Sequence, residues 1–333
     1  MAATMKDVAA LAGLSIGTVS NYITGRVAVS EEKKHRIEQA IEKLNYQINP
    51  AARTLKTNQH NIIGVLIPDF RNMFVVRVVS YMEELLQQQG YNMMVLSYHQ
   101  SEEKQEERLR YLQTRVDGIL YMPHKMTLAT VQCLQSIQRS IPVVAFNEMA
   151  QDVQCDHVLT DSDRVVRQAV CALLDKGHES IGMLAGPQYA YTSRQRYQAY
   201  RETLLERSIK PDETLVSFGD FSRSTGVMQC TELVKSHPEM TALFAVGYRM
   251  TLGALDALNA EGCREKICVV GYDASDLNGV VRPEIGYVYQ PYEEMAKASV
   301  EFILKRIRKD MEGFPQTVEL QAEICNLDVL PAR

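Results

Sequence analysis

The sequence predicts an α/β protein with a small all-helical head, and three observations carry that expectation. From Ile62 onward, short apolar runs alternate with amphipathic helical stretches, the pattern of doubly wound parallel sheets. Before about residue 45 the apolar residues repeat only at helical spacing, in three short segments. Between the two lies "NPAARTLKTNQHN" (49–61), whose apolar residues are too few to hold it folded alone. At 333 residues, 46% hydrophobic and 23% charged, the chain has material for two or three domains and excludes wholesale disorder.

The head is read from "KDVAALAGLSIGTVSNYI" (6–23). Thr4 N-caps a helix starting at Met5, with Asp7 three residues on, close to a capping box. Val8, Ala9, Leu11 and Ala12 form its apolar face, and Gly13 supplies a left-handed turn. Ser15 caps a second helix from Ile16 to about Ile23, and Ser30 caps a third from Glu31 to Leu44. Ile37, Ala40, Ile41 and Leu44 give the third an apolar stripe that braces the first two as a helix-turn-helix. Val8, Leu11, Val19 and Ile23 are expected in its core. Residues 1–60 carry eight Lys/Arg against five Asp/Glu, a charge of +3, while the whole chain is −5, leaving −8 on the rest. That asymmetry suits a chain with one end meeting phosphate. Asn49 and Pro50 read as N-cap and first residue of a conditional hinge helix, with a flexible linker as the alternative.

In the body, strands are expected at 62–68, 91–98, 116–123 and 141–147, and again at 180–187, 214–220, 241–247 and 266–273. Amphipathic helices at 75–89, 102–114, 164–176 and 194–206 alternate with them. Two sets of about four strands suggest two similar subdomains. No GxGxxG follows the first strand, and GxxxxGK[ST] and HExxH do not occur, so neither an enzyme nor a cofactor or metal site is expected. Seven scattered cysteines without a CxxC pair suit free thiols in a reducing cytosol. No apolar run approaches the ~20 residues of a membrane span. No apolar h-region opens the chain, so the expected location is the cytoplasm.

These residues resemble the lactose-repressor/galactose-repressor family of bacterial transcription regulators. "MKDVAALAGLSIGTVSNYI" is similar to the family's head signature, and "VSEEKKHRIEQAIEKLNYQINPAARTL" to its third helix and hinge. "GHESIGMLAGP", "VVGYDASD" and "QPYEEMAKASVEFIL" resemble body motifs, so the likeness covers essentially the whole chain. It implies a helix-turn-helix head (1–47), a hinge helix and linker (48–60) and a two-lobed, periplasmic-binding-protein-like body (61–333). Lobe one would span about 61–161 plus 291–320, and lobe two about 162–290 plus 321–333. Without a leucine-heptad tail after Arg333, a homodimer is the default.

The resemblance assigns roles. The second helix would enter the major groove, with Ile16, Gly17 and Asn21 towards bases and Thr4, Ser15, Thr18 and Ser20 as caps or phosphate contacts. The family commonly has Arg at Asn21 and small or polar residues at Ile16 and Gly17, so the operator should depart too. Leu55 would wedge into the minor groove beside Asn49 and Ala52, with Arg53 and Lys56 on phosphates. An effector cleft would be lined by Phe74, His124, Asn147, Arg194, Arg196, Phe221, Tyr248 and Asp273. Gly247-Tyr248 stands where the family usually has Asn-Asp; with Arg71, His124, Arg194 and Arg196 this admits a sugar acid or sugar phosphate as well as a sugar. The expected function is a ligand-responsive, sequence-specific repressor of carbohydrate-related genes, binding a pseudo-palindromic operator as a homodimer, with no cofactor and no membrane partner. The alternatives are a sugar-binding protein of the periplasmic class with a degenerate head, and an α/β enzyme with an accessory head. The missing signal and the intact helix-turn-helix weigh against the first, the missing catalytic fingerprints against the second.

Overall fold

The computed structural model describes residues 3–24, 29–46, 59–277, 279–281, 284–328 and 330–333, in two compact units, Met1–His60 and Asn61–Arg333. The first unit holds α1 (Met5–Ala12), α2 (Ile16–Thr24) and α3 (Glu31–Lys43). Thr4 closes a capping box: its hydroxyl accepts from the Asp7 N–H at 3.3 Å, and Asp7 Oδ2 accepts from the Thr4 N–H at 2.8 Å. Gly13 ends α1 at φ +62°; a Cβ there would lie 2.6 Å from Arg36 Nη2, which reaches the Gly13 carbonyl at 3.3 Å. Ser15 Oγ caps α2 through the Thr18 N–H at 3.1 Å. Ser30 occupies the N-cap of α3 but makes no side-chain cap bond, so its expected capping role is corrected.

Val8, Ala9, Ala12, Val19, Ile37 and Ala40 form the buried core of this unit, with Ile23, Ile41 and Leu44 packed at its margin. Leu11 is a correction: it is 47% exposed. At 100° per residue it lies about 60° from Val8 on the helical wheel, and α1 is too short for its core face to reach that far round.

The second unit contains two six-stranded sheets where about four strands each were expected. The first has β1 (Ile62–Ile67), β2 (Asn92–Ser97), β3 (Gly118–Tyr121), β4 (Val143–Phe146), β5 (Asp156–Thr160) and β11 (Thr317–Leu320), in the order β11-β5-β4-β3-β1-β2. The second has β6 (Ile181–Ala185), β7 (Val216–Phe218), β8 (Ala242–Ala245), β9 (Cys268–Tyr272), β10 (Gly286–Tyr289) and β12 (Glu323–Cys325), in the order β12-β10-β9-β8-β6-β7. The two orders repeat each other, and every pair is parallel except β10 with β12. The strands that escaped sequence detection, β5 and β10–β12, have three to five residues and mixed polarity. In β5 the charge has a structural use. Buried Asp156 takes a bidentate bond from Arg306 (Nε 2.7 Å, Nη2 3.0 Å) and the Gln316 N–H at 2.7 Å, joining the inner strand to the segment leading into β11.

On one face of the first sheet lie α4 (Met73–Gln88) and α11 (Tyr292–Ile307), sharing a core that includes Met82, Leu86, Met295 and Ile303. On the other lie α5 (Glu102–Gln113) and α6 (Leu128–Ile137), around Leu109, Leu112 and Leu134. On the second sheet, α7 (Ser162–Asp175) packs with α8 (Tyr191–Glu206), and α9 (Arg223–Ser236) with α10 (Tyr248–Ala260). The last pair is closest at Gly253, where a Cβ would fall 2.3 Å from the Arg223 carbonyl oxygen. The chain passes between the lobes after β5, β10 and β11, so the lobes share three connections. All seven cysteines are free thiols.

Candidate functional site

In each lobe of this order the strand sequence reverses direction beside the first strand, and the carboxyl ends there define a crevice. The two crevices face each other across a shared cavity. Lobe one contributes Asp69 beyond β1, Pro123 and His124 beyond β3, and Asn147 and Glu148 beyond β4. Lobe two contributes Gly247, Tyr248 and Arg249 beyond β8, Asp273 beyond β9, Gln290 beyond β10, and Thr192 and Arg196 on α8. Asn147 and Asp273 follow strands in equivalent places of the repeated order. Both take left-handed backbone (φ +63° and +57°), and each N–H reaches the neighbouring strand at 2.8 Å, on Val158 and Val288 respectively.

Asp273 is buried. Its Oδ2 accepts from Gln290 Nε2 at 2.8 Å and its Oδ1 from the Tyr292 hydroxyl at 3.1 Å. Burial nevertheless pushes its pKa up to about 6, against those bonds and the Arg196 and Arg77 charges. Arg196 is also buried: Nη1 donates to the Val246 carbonyl at 2.6 Å, Nε to Ser162 Oγ at 3.4 Å, and the guanidinium lies 4.0 Å from the Tyr272 ring centroid. Burial alone would raise Asp69, but hydrogen bonds from Arg71 and the charges of Arg71 and Arg249 hold it below the usual carboxylate range. The Phe221 ring lies against Gly186 and Gly247: a Cβ at Gly186 would sit 2.4 Å from it, and one at Gly247 3.3 Å. Phe74 packs on Tyr292 at 5.8 Å between centroids. Tyr248 opens α10, and its hydroxyl donates to Asp276 at 2.8 Å; burial and that acid push its pKa up to about 12. Burial holds His124 below the usual imidazole value, and its Nε2 meets the Tyr189 hydroxyl at 3.0 Å.

Polar contacts that span the lobes include Arg249 Nη1 to Asp69 Oδ2 at 3.2 Å, Arg77 Nη1 to Ser275 Oγ at 2.7 Å, the Tyr292 hydroxyl to Asp273, His124 to Tyr189, and Glu148 to Thr192.

Seven of the eight cleft residues named from the sequence line the cavity: Phe74, His124, Asn147, Arg196, Phe221, Tyr248 and Asp273. Arg194 does not. Its Nη1 donates to the carbonyls of Gln188 and Tyr189 at 3.0 and 2.9 Å, pinning the loop before α8. Arg71 also stays out, with a 72% exposed side chain clamped on Asp69. Two of the four groups that admitted an anionic ligand are therefore absent from the lining. Asp69, Glu148, Thr192, Arg249 and Gln290 were missed. Asp69 and Glu148 lie two residues beyond the ends of β1 and β4, and that strand-end position was the available signal.

On the head, Ser15, Ile16 and Gly17 are exposed at the start of α2, Thr18 and Asn21 are half-buried, and Thr4 is exposed with its hydroxyl on Asp7. Ser20 is a correction: it is 3% exposed and faces inward, so it offers no surface to phosphate. Asn49, Ala52, Arg53, Leu55 and Lys56 lie outside the described residues. Among the described residues, no group of three or more His, Cys, Asp or Glu is placed to hold a metal, and no helix is long and apolar enough to cross a membrane.

A helix-turn-helix head joined to a two-lobed body with a central cleft defines a ligand-responsive DNA-binding regulator. Residues 4–49 match the bacterial regulatory proteins of the lacI family, and residues 170–326 match the periplasmic binding protein-like domain. The HTH-type transcriptional repressor PurR of Vibrio atlanticus (strain LGP32) is 32% identical over 325 residues, 97% of each chain. The repressor of the same name from Vibrio cholerae serotype O1 (strain M66-2) is 31% identical over 331 residues, 98% of each chain. Among solved structures, a transcriptional regulator CelR–cellobiose complex shares 29% identity at a TM-score of 0.74, over 99% of this chain and 100% of that one. A lac repressor dimer bound to operator and the anti-inducer ONPF shares the fold at a TM-score of 0.84 and 22% identity, over 100% of this chain and 99% of that one. The chain belongs to the lacI family of bacterial transcription regulators and is a DNA-binding repressor, not an enzyme.

Proposed function

We propose that the chain acts in the cytoplasm as a homodimer on a pseudo-palindromic operator, and that a carbohydrate-class effector in the interlobe cleft sets its DNA affinity. The observation that carries the effector reading is the cavity itself: buried Asp273, Arg196 and Gln290 beside Phe74 and Phe221, at the carboxyl ends of two facing sheets. Carboxylate, amide and guanidinium groups around an apolar wall suit a ring bearing hydroxyls. The cellobiose held by the CelR relative supports the same class.

A ligand moves the DNA equilibrium only by binding one arrangement of the lobes better than the other. Contacts such as Arg249–Asp69 and Arg77–Ser275 join the two lobes, so an effector filling the cleft between them would bias their relative arrangement. On the DNA side, one three-helix head offers little surface for a specific complex, so two heads are needed. Ile16, Gly17 and Asn21 would read bases, with residues 48–60 as the hinge and Leu55 as its minor-groove wedge.

The test is sedimentation of the full chain with a duplex selected from a random pool. Two chains per duplex, with a dyad in the selected sequence, is the expected result. A single chain held tightly on one half-site would overturn it.

A further inference from the structure

Helix α8 (Tyr191–Glu206) begins without a cap of its own. Its N-cap residue is Ala190, which makes no side-chain hydrogen bond. A helix start presents unsatisfied N–H groups and a partial positive charge, and it accepts an anion readily. Here the anion comes from the opposite lobe. Glu148, immediately after Asn147, places Oε2 3.3 Å from the Thr192 N–H, and its Oε1 accepts from the Thr192 hydroxyl. The Tyr191 N–H and the Arg196 charge, one turn further along the same helix, also favour its ionised form against the burial that raises it. Glu148 is 6% exposed and lines the cavity. The cleft therefore contains an anion cradle made of a helix start, a threonine hydroxyl and an arginine, already filled by the protein's own carboxylate.

The rest of the lining fits that arrangement. Its acids are Asp69, Glu148 and Asp273; its arginines are Arg196 and Arg249, and Arg249 is paired with Asp69. No cationic surplus remains for a second anion. In addition, Gln290 Oε1 is buried without a hydrogen-bond partner among the described residues, an acceptor suited to a hydroxyl donor.

We propose that Glu148 is a specificity-determining residue: it stands in the place of an anion, so the cleft takes neutral polyhydroxylated ligands and rejects sugar acids and sugar phosphates. This rests on the reading of the cleft as the effector site. An incoming carboxylate or phosphate would have to displace Glu148 from the helix start and then sit against a buried like charge, and such juxtapositions are strongly unfavourable.

The probe is inorganic phosphate at constant ionic strength, read by thermal unfolding of the full chain at mildly alkaline pH. The wild type should show no saturable stabilisation. Glu148→Gln and Glu148→Ala should each gain it, with apparent phosphate affinity raised at least about tenfold. Glu148→Asp, which keeps the charge, should not gain it, and Arg196→Met added to Glu148→Gln should abolish the gain. Far-UV circular dichroism confirms that each variant is folded, and the isosteric Gln variant carries the test if the Ala variant is not. The proposal is overturned if wild type and Gln variant respond alike, if the folded Gln variant gains nothing, or if the gain survives Arg196→Met. These failures leave the effector reading standing, because that reading is tested by operator affinity against neutral sugars and not by phosphate.

Discussion

Asp273→Asn isolates the electrostatic cost of the carboxylate at the base of the cleft. The side chain is buried, and burial raises its pKa from 3.8 to about 6 despite bonds from Gln290 and Tyr292. An acid whose folded-state pKa exceeds its unfolded value holds its proton more tightly when folded. Stability is therefore fully present below the unfolded value and is lost as pH rises through about 6. A shift of roughly two units at 1.36 kcal/mol each puts the full loss at about 3 kcal/mol. Asparagine does not titrate, so the wild type should lose stability relative to the variant by about that amount across this window. The substitution also disturbs hydrogen bonds, since Asn accepts through one atom where Asp accepts through two. Gln290 can rotate its unpartnered Oε1 towards the new amide, and this offset does not vary with pH. The chain has no tryptophan, so the assay is urea unfolding followed by far-UV circular dichroism at a series of pH values on both sides of the window. A stability difference that is flat with pH, or that favours the wild type as pH rises, would refute the reasoning.

Other outcomes follow from the same geometry. Gly253→Ala places a Cβ against the Arg223 carbonyl and the Val227 nitrogen, backbone atoms that cannot yield without moving α9; a loss of about 1–3 kcal/mol is expected in thermal unfolding. Leu55→Ala should weaken selected duplexes by on the order of tenfold while sparing random ones, because only a deformable central step rewards the wedge; equal weakening of both in a salt-matched titration would remove Leu55 from the minor groove.

Much of the fold was legible because local chemistry and packing agree. Thr4 with Asp7, Gly13 and Ser15 mark the head's helices by their own hydrogen bonds, and the central strands are continuous apolar runs because both faces of each sheet are covered. The short strands β5 and β10–β12 were illegible because their stability comes from partners distant in sequence; Asp156 reads as a loop acid until Arg306, 150 residues away, is beside it. The cleft divides the same way. Strand-end positions announced Asn147 and Asp273, whereas the pairings Arg249–Asp69, between residues 180 apart, and Glu148–Thr192, between residues 44 apart, have no local pattern that announces the partner. Arg194 and Arg196 were both assigned to the cleft from the family resemblance, yet residues two apart on a helix point about 160° apart, so only one of them faces the cleft. In the head, Leu11 and Ser20 exchanged their expected environments, because apolar and polar character alone does not say how far a short helix turns into its core.

The central claim is that occupancy of the cleft sets DNA affinity, and fluorescence anisotropy of a selected duplex with the full chain tests it directly. Titrations run at fixed salt, with and without each member of a panel of neutral mono- and disaccharides. The account predicts that at least one sugar changes duplex affinity by about 5–150-fold, the range of ordinary allosteric coupling, and that Arg196→Ala abolishes the change. Duplex affinity unchanged by every sugar, or a response that Arg196→Ala retains in full, would contradict it.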